Sequence, residues 1–222
     1  MIEFNIIWLV ILIVNVVSFG LMVLFSFLNG RKKYDNFSFA NHFPYEAFSN
    51  ITKIFSIIFI ISLFATLGTI LPFVGELKNN SILPIIIVFV IGITGVFMIV
   101  TFYLPMKYQR EHIIVSTFLM AGSFLSISLA TVRSFVAYSM LKRFNEGGYH
   151  LALAIVGLLF VILMAIVIFN PKLKQWALLE EHVNGDEKYY IRPKFFPLAY
   201  SEWISILVIL IAQILFLTSL IN

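Results

Sequence analysis

The chain contains no cysteine, which excludes disulfide frameworks, thiolate metal sites, cysteine nucleophiles and dithiol redox chemistry. Charge is nearly as scarce, with Asp, Glu, Lys and Arg making up only 12% of 222 residues. That is half of the roughly 25% typical of a water-soluble domain. A chain so poor in charge cannot cover its own surface in water. A soluble enzyme, a nucleic-acid-binding domain and a disordered linker are therefore excluded. Several catalytic signatures are also missing: a Gly-x-Ser-x-Gly elbow, a Walker loop, His-Glu-x-x-His and paired intramembrane aspartates. Ahead of the first apolar run stands Met1-Ile2-Glu3-Phe4, with no basic residue. That run is expected to be a retained span and not a cleaved signal peptide.

What the chain does have is hydrocarbon. Hydrophobic residues make up 61% of it, and mean hydropathy is +1.00. Six stretches are long enough to cross a bilayer as helices, which takes about 20 apolar residues. They cover residues 6–28, 54–74, 82–106, 113–132 (with the helix able to continue to 141), 151–169 and 203–222, and none contains a charged residue. Together they account for 128 of 222 residues, so the whole chain reads as a single transmembrane domain. Backbone groups in lipid must be paired internally, and the strict alternation of a β-barrel is absent, so the expected fold is an all-α integral membrane protein with six transmembrane helices.

Orientation follows from the basic residues. The loops after spans one, three and five hold Arg31, Lys32, Lys33, Lys53, Lys107, Arg110, Lys172, Lys174, Lys188, Arg192 and Lys194. Those after spans two and four hold Lys78, Arg133, Lys142 and Arg143. The excess of Lys and Arg marks the cytoplasmic side, which puts both termini outside. The net charge of +4 is read in the same way, and not as a nucleic-acid footprint. A prokaryotic cytoplasmic (plasma) membrane is the expected location, with an organellar inner membrane as the other option.

Two inner loops have distinctive composition. After Asn29-Gly30, read as a helix stop, Phe37, Phe39, Phe43, Tyr45 and Phe48 alternate with polar residues. Such a segment is expected to lie in the headgroup layer. Beyond span five, Leu173, Trp176 and Ala177 share a face at helical spacing, which predicts an interfacial helical extension through Glu181. A turn follows at Asn184-Gly185-Asp186, and residues 188–192 are extended by propensity. The odd spans also end alike, as in Phe27-Leu-Asn-Gly-Arg-Lys32 and Phe102-Tyr-Leu-Pro-Met-Lys107. Aromatics, a breaker and a basic residue suit any such helix end, so this is read as shared physics and not as a repeat.

Polar residues inside spans are the default functional candidates of a membrane protein. Asn15 and Gln213 lie mid-span, and span four carries Ser123, Ser126 and Thr131. These five are expected either to line a path or to hydrogen-bond across helix interfaces. Span four, rich in Ala, Gly and Ser, is expected to be the central, tightly packed helix. Arg133 and Trp176 are read as interface anchors. The run from Ser126 to Arg133, taken with Gln213, resembles the arginine helix of rotary ATP synthase subunit a over about ten residues. The 33 residues from 170 to 202 stand where that family needs a tight hairpin, so the likeness is set aside. A second set, His42, Glu46, Glu111, His112, Glu181 and His182, places histidine beside carboxylate in each inner loop and forms the one candidate metal site.

Three functions are compatible with this inventory. The favoured one is transport or permeation, alone or as the membrane subunit of a larger complex. The alternatives are a non-catalytic scaffold in a membrane assembly, and a membrane enzyme using the cytoplasmic His/Glu set. Enzymatic activity and a cofactor are not expected. The expected partners are the lipid bilayer and other membrane subunits or further copies of the chain, with no nucleic acid. Because no charge falls inside any span, proton pumping or binding of a charged substrate at the midplane is disfavoured.

Overall fold

The computed structural model describes residues 6–76, 82–142, 148–175, 180–184, 187–191 and 193–220. Six of its helices are long and apolar enough to cross a membrane, which makes the chain a polytopic integral membrane protein. They are α1 (Ile6–Lys33), α3 (Asn50–Glu76), α4 (Ile82–Tyr103), α5 (Gln109–Leu141), α6 (Gly148–Ile168) and α7 (Pro197–Thr218), with a one-turn helix α2 (Pro44–Ala47) between the first two. Proline sets several boundaries. Helix α4 stops ahead of Pro105 and α6 ahead of Pro171, since the residue before a proline is driven out of the helical region. Both α2 and α7 begin on a proline, whose missing N–H costs nothing in the first turn.

Five residues join α4 to α5, a reach of at most about 18 Å. The helices are about 33 Å long or more at 1.5 Å per residue, so these two must run antiparallel. The ends of α1, α4 and α6 gather with the starts of α3, α5 and α7 at one end of the bundle, here the loop end. Helix α5 packs against α4, α6 and α7, as expected of span four, and α7 is the most deeply buried helix. Two glycines set the spacing around α5. A Cβ on Gly122 would lie 2.3 Å from Thr94 Oγ1, and one on Gly157 would lie 2.3 Å from Thr131 Oγ1 and 2.9 Å from a Leu215 methyl. No larger residue fits these contacts without movement.

Four sequence expectations are corrected here. Helix α1 does not stop at Asn29-Gly30 but continues to Lys33. Gly30 is instead where the Phe37 ring packs flat on the helix, 2.4 Å from where a Cβ would be. The aromatic loop does not spread its rings outward but packs them on the protein. Phe37 and Phe43 are buried in the core, and the segment folds over the loop end of the bundle. The last span starts at Pro197, six residues before residue 203, and this carries Glu202 into the bundle. Finally, Pro171–Gln175 forms only a short 3-10 turn, and Glu180 and Glu181 lie in a strand and not in an interfacial helix. That strand, β1 (Glu180–Asn184), pairs antiparallel with β2 (Glu187–Ile191), with Asn184 opposite Glu187. The strand pair agrees with the extended 188–192 as far as Ile191, while Gly185 and Asp186 of the expected turn, and Arg192, lie outside the described residues.

Candidate functional site: a buried carboxylate under an aromatic cover

The start of α7 packs against α5. Leu198, Ala199, Ser201, Glu202, Ser205 and Ile206 are all buried there. Glu202 is fully buried in spite of its ionisable carboxyl group. Its Oε1 lies 2.8 Å from His112 Nε2 and accepts a 2.6 Å hydrogen bond from the Ser116 hydroxyl. His112 and Ser116 are four residues apart on α5, one turn, so both face α7. On its other side the His112 ring is 2.6 Å, through Nδ1, from the Leu104 carbonyl. A carbonyl only accepts, so Nδ1 must carry a proton.

This assignment limits the chemistry of the pair. One further proton lies between Nε2 and Oε1, giving either imidazolium with carboxylate or imidazole with carboxylic acid. Both forms have zero net charge, the only arrangement that a site sealed from water holds cheaply. Glu202 Oε2 is buried and has no hydrogen-bond partner among the described residues. The site therefore stores one proton and has one bare acceptor.

The aromatic loop covers this store. The Phe43 and Tyr45 rings meet the His112 ring edge-on at 5.1 and 5.6 Å, and Phe43 also packs on Phe196 at 5.4 Å. Hydrogen bonds fasten the cover at several points. Trp203 Nε1 donates to the His42 carbonyl at 2.9 Å, the Phe196 amide to the Ala40 carbonyl at 2.6 Å, and the Met106 amide to the Tyr45 hydroxyl at 3.1 Å. Asn29 Nδ2 donates to the Ala47 carbonyl at 2.9 Å, tying the cover to α1.

Further along the same helix the polar groups are neutral. Glu202 and Gln213 are eleven residues apart, close to three full turns, so they share one face of α7 about 16 Å apart. Gln213 accepts a hydrogen bond from Asn15 Nδ2 of α1. Both side chains are fully buried, and Asn15 Oδ1 and Gln213 Nε2 have no partner among the described residues. Between the two levels Ser123 donates to the Ser205 carbonyl at 3.2 Å, and the hydroxyls of Ser126 and Ser205 have no partner among the described residues. Thr131 bonds back to Ile127 of its own helix. Of the five path or interface candidates, the structure joins Asn15 to Gln213 and sets Ser123 against α7.

The residues of the metal reading are not brought together. His42 faces Asn41 and stacks among Tyr34 and Phe37, while Glu46 accepts the Phe43 amide as the cap of α2. Glu111 is exposed and its neighbour His112 buried, because consecutive helical positions point about 100° apart. His112 takes its carboxylate partner from Glu202 instead. Glu181 and His182 lie on β1. No group of three or more His, Asp or Glu suited to a metal occurs among the described residues. Of the anchors, Arg133 is half-buried two turns before the end of α5, its Nε without a partner among the described residues, and Trp176 lies outside the described residues.

Glu202 is the residue that sequence reasoning missed, although a signal was present. Pro197 is a helix-start mark, and Glu202 follows Leu198 by one turn. No family model matches the chain, and neither a curated protein nor a solved structure matches it.

Proposed function

We propose that the chain is a transport or permeation component, acting alone or as the membrane subunit of a larger complex, in which proton binding at Glu202 and His112 is linked to movement of a small uncharged polar solute along α7. The observation that carries this reading is the bare, fully buried Oε2 of Glu202 in a bundle whose deeper polar groups are neutral. Ionisable groups inside a membrane bundle are costly and mark substrate, ion or proton sites. The carbonyl oxygen of Asn15 and the amide N–H of Gln213, an acceptor beside a donor with no partner among the described residues, suit hydrogen bonding to an uncharged polar solute. By the positive-inside rule the loop end, with Arg31, Lys32, Lys33, Lys107 and Arg110, faces the cytoplasm.

The test is flux in liposomes containing the purified protein and a trapped pH dye, challenged with small polar solutes such as glycerol and urea. Wild-type vesicles are expected to swell faster than protein-free ones and to move protons as they do. Glu202→Gln should uncouple the proton, and Asn15→Leu should slow the solute. Vesicles no leakier than protein-free controls to every solute and to protons would overturn the reading. A second reading, a non-catalytic scaffold, draws on the full burial of Asn15, Gln213 and Glu202, since closely packed polar pairs also serve as glue between helices. A stoichiometric partner in the native mass of the gently solubilised protein, together with absent flux, would favour it.

A further inference from the structure

A second feature of the loop end is independent of the buried acid. Ile113, Thr117, Met120 and Ala121 of α5, Ile168 at the end of α6, Leu173 of the 3-10 turn and Leu198 of α7 line a groove of about 250 Å³. It is apolar almost throughout, because the Thr117 hydroxyl is spent on the Ile113 carbonyl at 2.8 Å. From Ile113 to Ala121 the groove runs about 12 Å along the helix axis. That is most of one leaflet of a hydrocarbon core about 30 Å thick.

Two basic residues, Arg110 and Lys172, neighbour the groove's lining along the chain at its loop end. Arg110, Ile113, Thr117 and Ala121 follow each other at three- and four-residue intervals on one face of α5, so Arg110 stands on the same face at the headgroup end. Lys172 directly precedes Leu173 in the turn that closes the other side. Both cations are exposed, and neither pairs with an acid among the described residues. An apolar trough of leaflet depth with two free cations at its polar end matches one kind of molecule.

We infer that this groove is a binding site for one anionic phospholipid, with an acyl chain between α5, α6 and α7 and the phosphate between Arg110 and Lys172. Selectivity comes from the charges, since any lipid tail is as apolar as the groove. At about 1 kcal/mol per basic residue at a membrane surface, two cations predict roughly a thirty-fold preference for an anionic over a zwitterionic headgroup.

Native mass spectrometry of the delipidated protein, titrated with phosphatidylglycerol and phosphatidylcholine of matched chains, tests this directly. Wild type is expected to bind the anionic lipid roughly thirty-fold more tightly. The double variant Arg110→Gln, Lys172→Gln should lose that preference while still binding both lipids weakly. Ala121→Phe, at an exposed position that fills the groove, should weaken both lipids and keep the preference. Equal binding of the two lipids to wild type, or a preference that survives removal of both cations, would overturn the assignment. So would full displacement of the lipid by inorganic phosphate, which would mean the chain contributes nothing.

Discussion

Burying an acid and a histidine together makes a specific prediction about stability. His112 and Glu202 are 2.8 Å apart with both side chains fully buried. Glu202→Leu leaves a neutral imidazole with a bare Nε2, which costs about 1–3 kcal/mol for one unsatisfied buried group. His112→Leu does more, because it strips both the acid of one partner and the Leu104 carbonyl of its donor. Loss of one member of a buried pair typically costs about 3–5 kcal/mol. The double variant leaves only the Leu104 carbonyl unsatisfied and fills the space with hydrocarbon, so it should fall within about 1–3 kcal/mol of wild type. The two losses should therefore be non-additive by at least about 1 kcal/mol. Unfolding in mixed micelles, followed by tryptophan fluorescence, measures the cycle, and Trp203 reports from beside the site through its bond to the His42 carbonyl. Losses that add to within about 0.5 kcal/mol would mean that the two side chains do not interact, and the one-proton store would have to be abandoned. Glu202→Gln is the control. It keeps an acceptor and gains a donor for Nε2, and should cost no more than about 1 kcal/mol.

Three further outcomes follow from the packing. Gly157→Ala drives a methyl into Thr131 Oγ1 and Leu215 and should cost about 1–3 kcal/mol. Adding Thr131→Ala should recover over half of that loss in the same unfolding assay, and no recovery would show that the close contact is not the cause. The Asn15–Gln213 bond is a neutral interhelical pair, so Asn15→Leu should cost only about 0.5–2 kcal/mol while removing solute flux. A large loss of stability with flux intact would make the pair structural glue. Trp203→Phe removes the indole bond to the loop, worth about 0.5–1.5 kcal/mol. Amide exchange across residues 34–49 should then rise roughly two- to tenfold, and unchanged exchange would show that this bond does not hold the cover.

The parts of this architecture that depend on composition over 20 residues were legible in the sequence. The six spans follow from hydropathy alone, and Asn15 and Gln213 stand out because an amide in a long apolar run has few uses. What was not legible depends on contacts between segments distant in sequence. Glu202 reads as the last charge of a polar loop, since a hydropathy window penalises a carboxylate whether or not a histidine 90 residues away neutralises it. The aromatic loop has the composition of a headgroup-layer segment, and that of a core plug is the same. What separates them is Gly30, whose bare backbone gives Phe37 a seat on α1. Glycine after asparagine near a basic cluster reads as a helix stop, and only the partner ring shows it to be a contact.

The cover and the buried acid depend on each other. The buried ionisable side chains among the described residues are His42, His112, His150 and Glu202, and all lie in a loop or near a helix start. A charge at the bilayer centre costs about 2.5–3.5 kcal/mol even by insertion scales. Glu202 lies five residues into α7, about 8 Å from its start, where water would reach it if nothing lay above. Phe43 and Tyr45 replace that water with ring edges and lower the local dielectric, which strengthens the bond between imidazole and carboxyl. Without the cover a hydrated glutamate would need no histidine. Without the histidine, the cover would bury an unpaired acid at a cost of several kcal/mol. Phe43→Ala should therefore weaken the coupling between His112 and Glu202 although it leaves both members of the pair in place. A double-mutant cycle repeated in that background should give a coupling energy reduced by half or more, and an undiminished value would separate the loop from the chemistry beneath it.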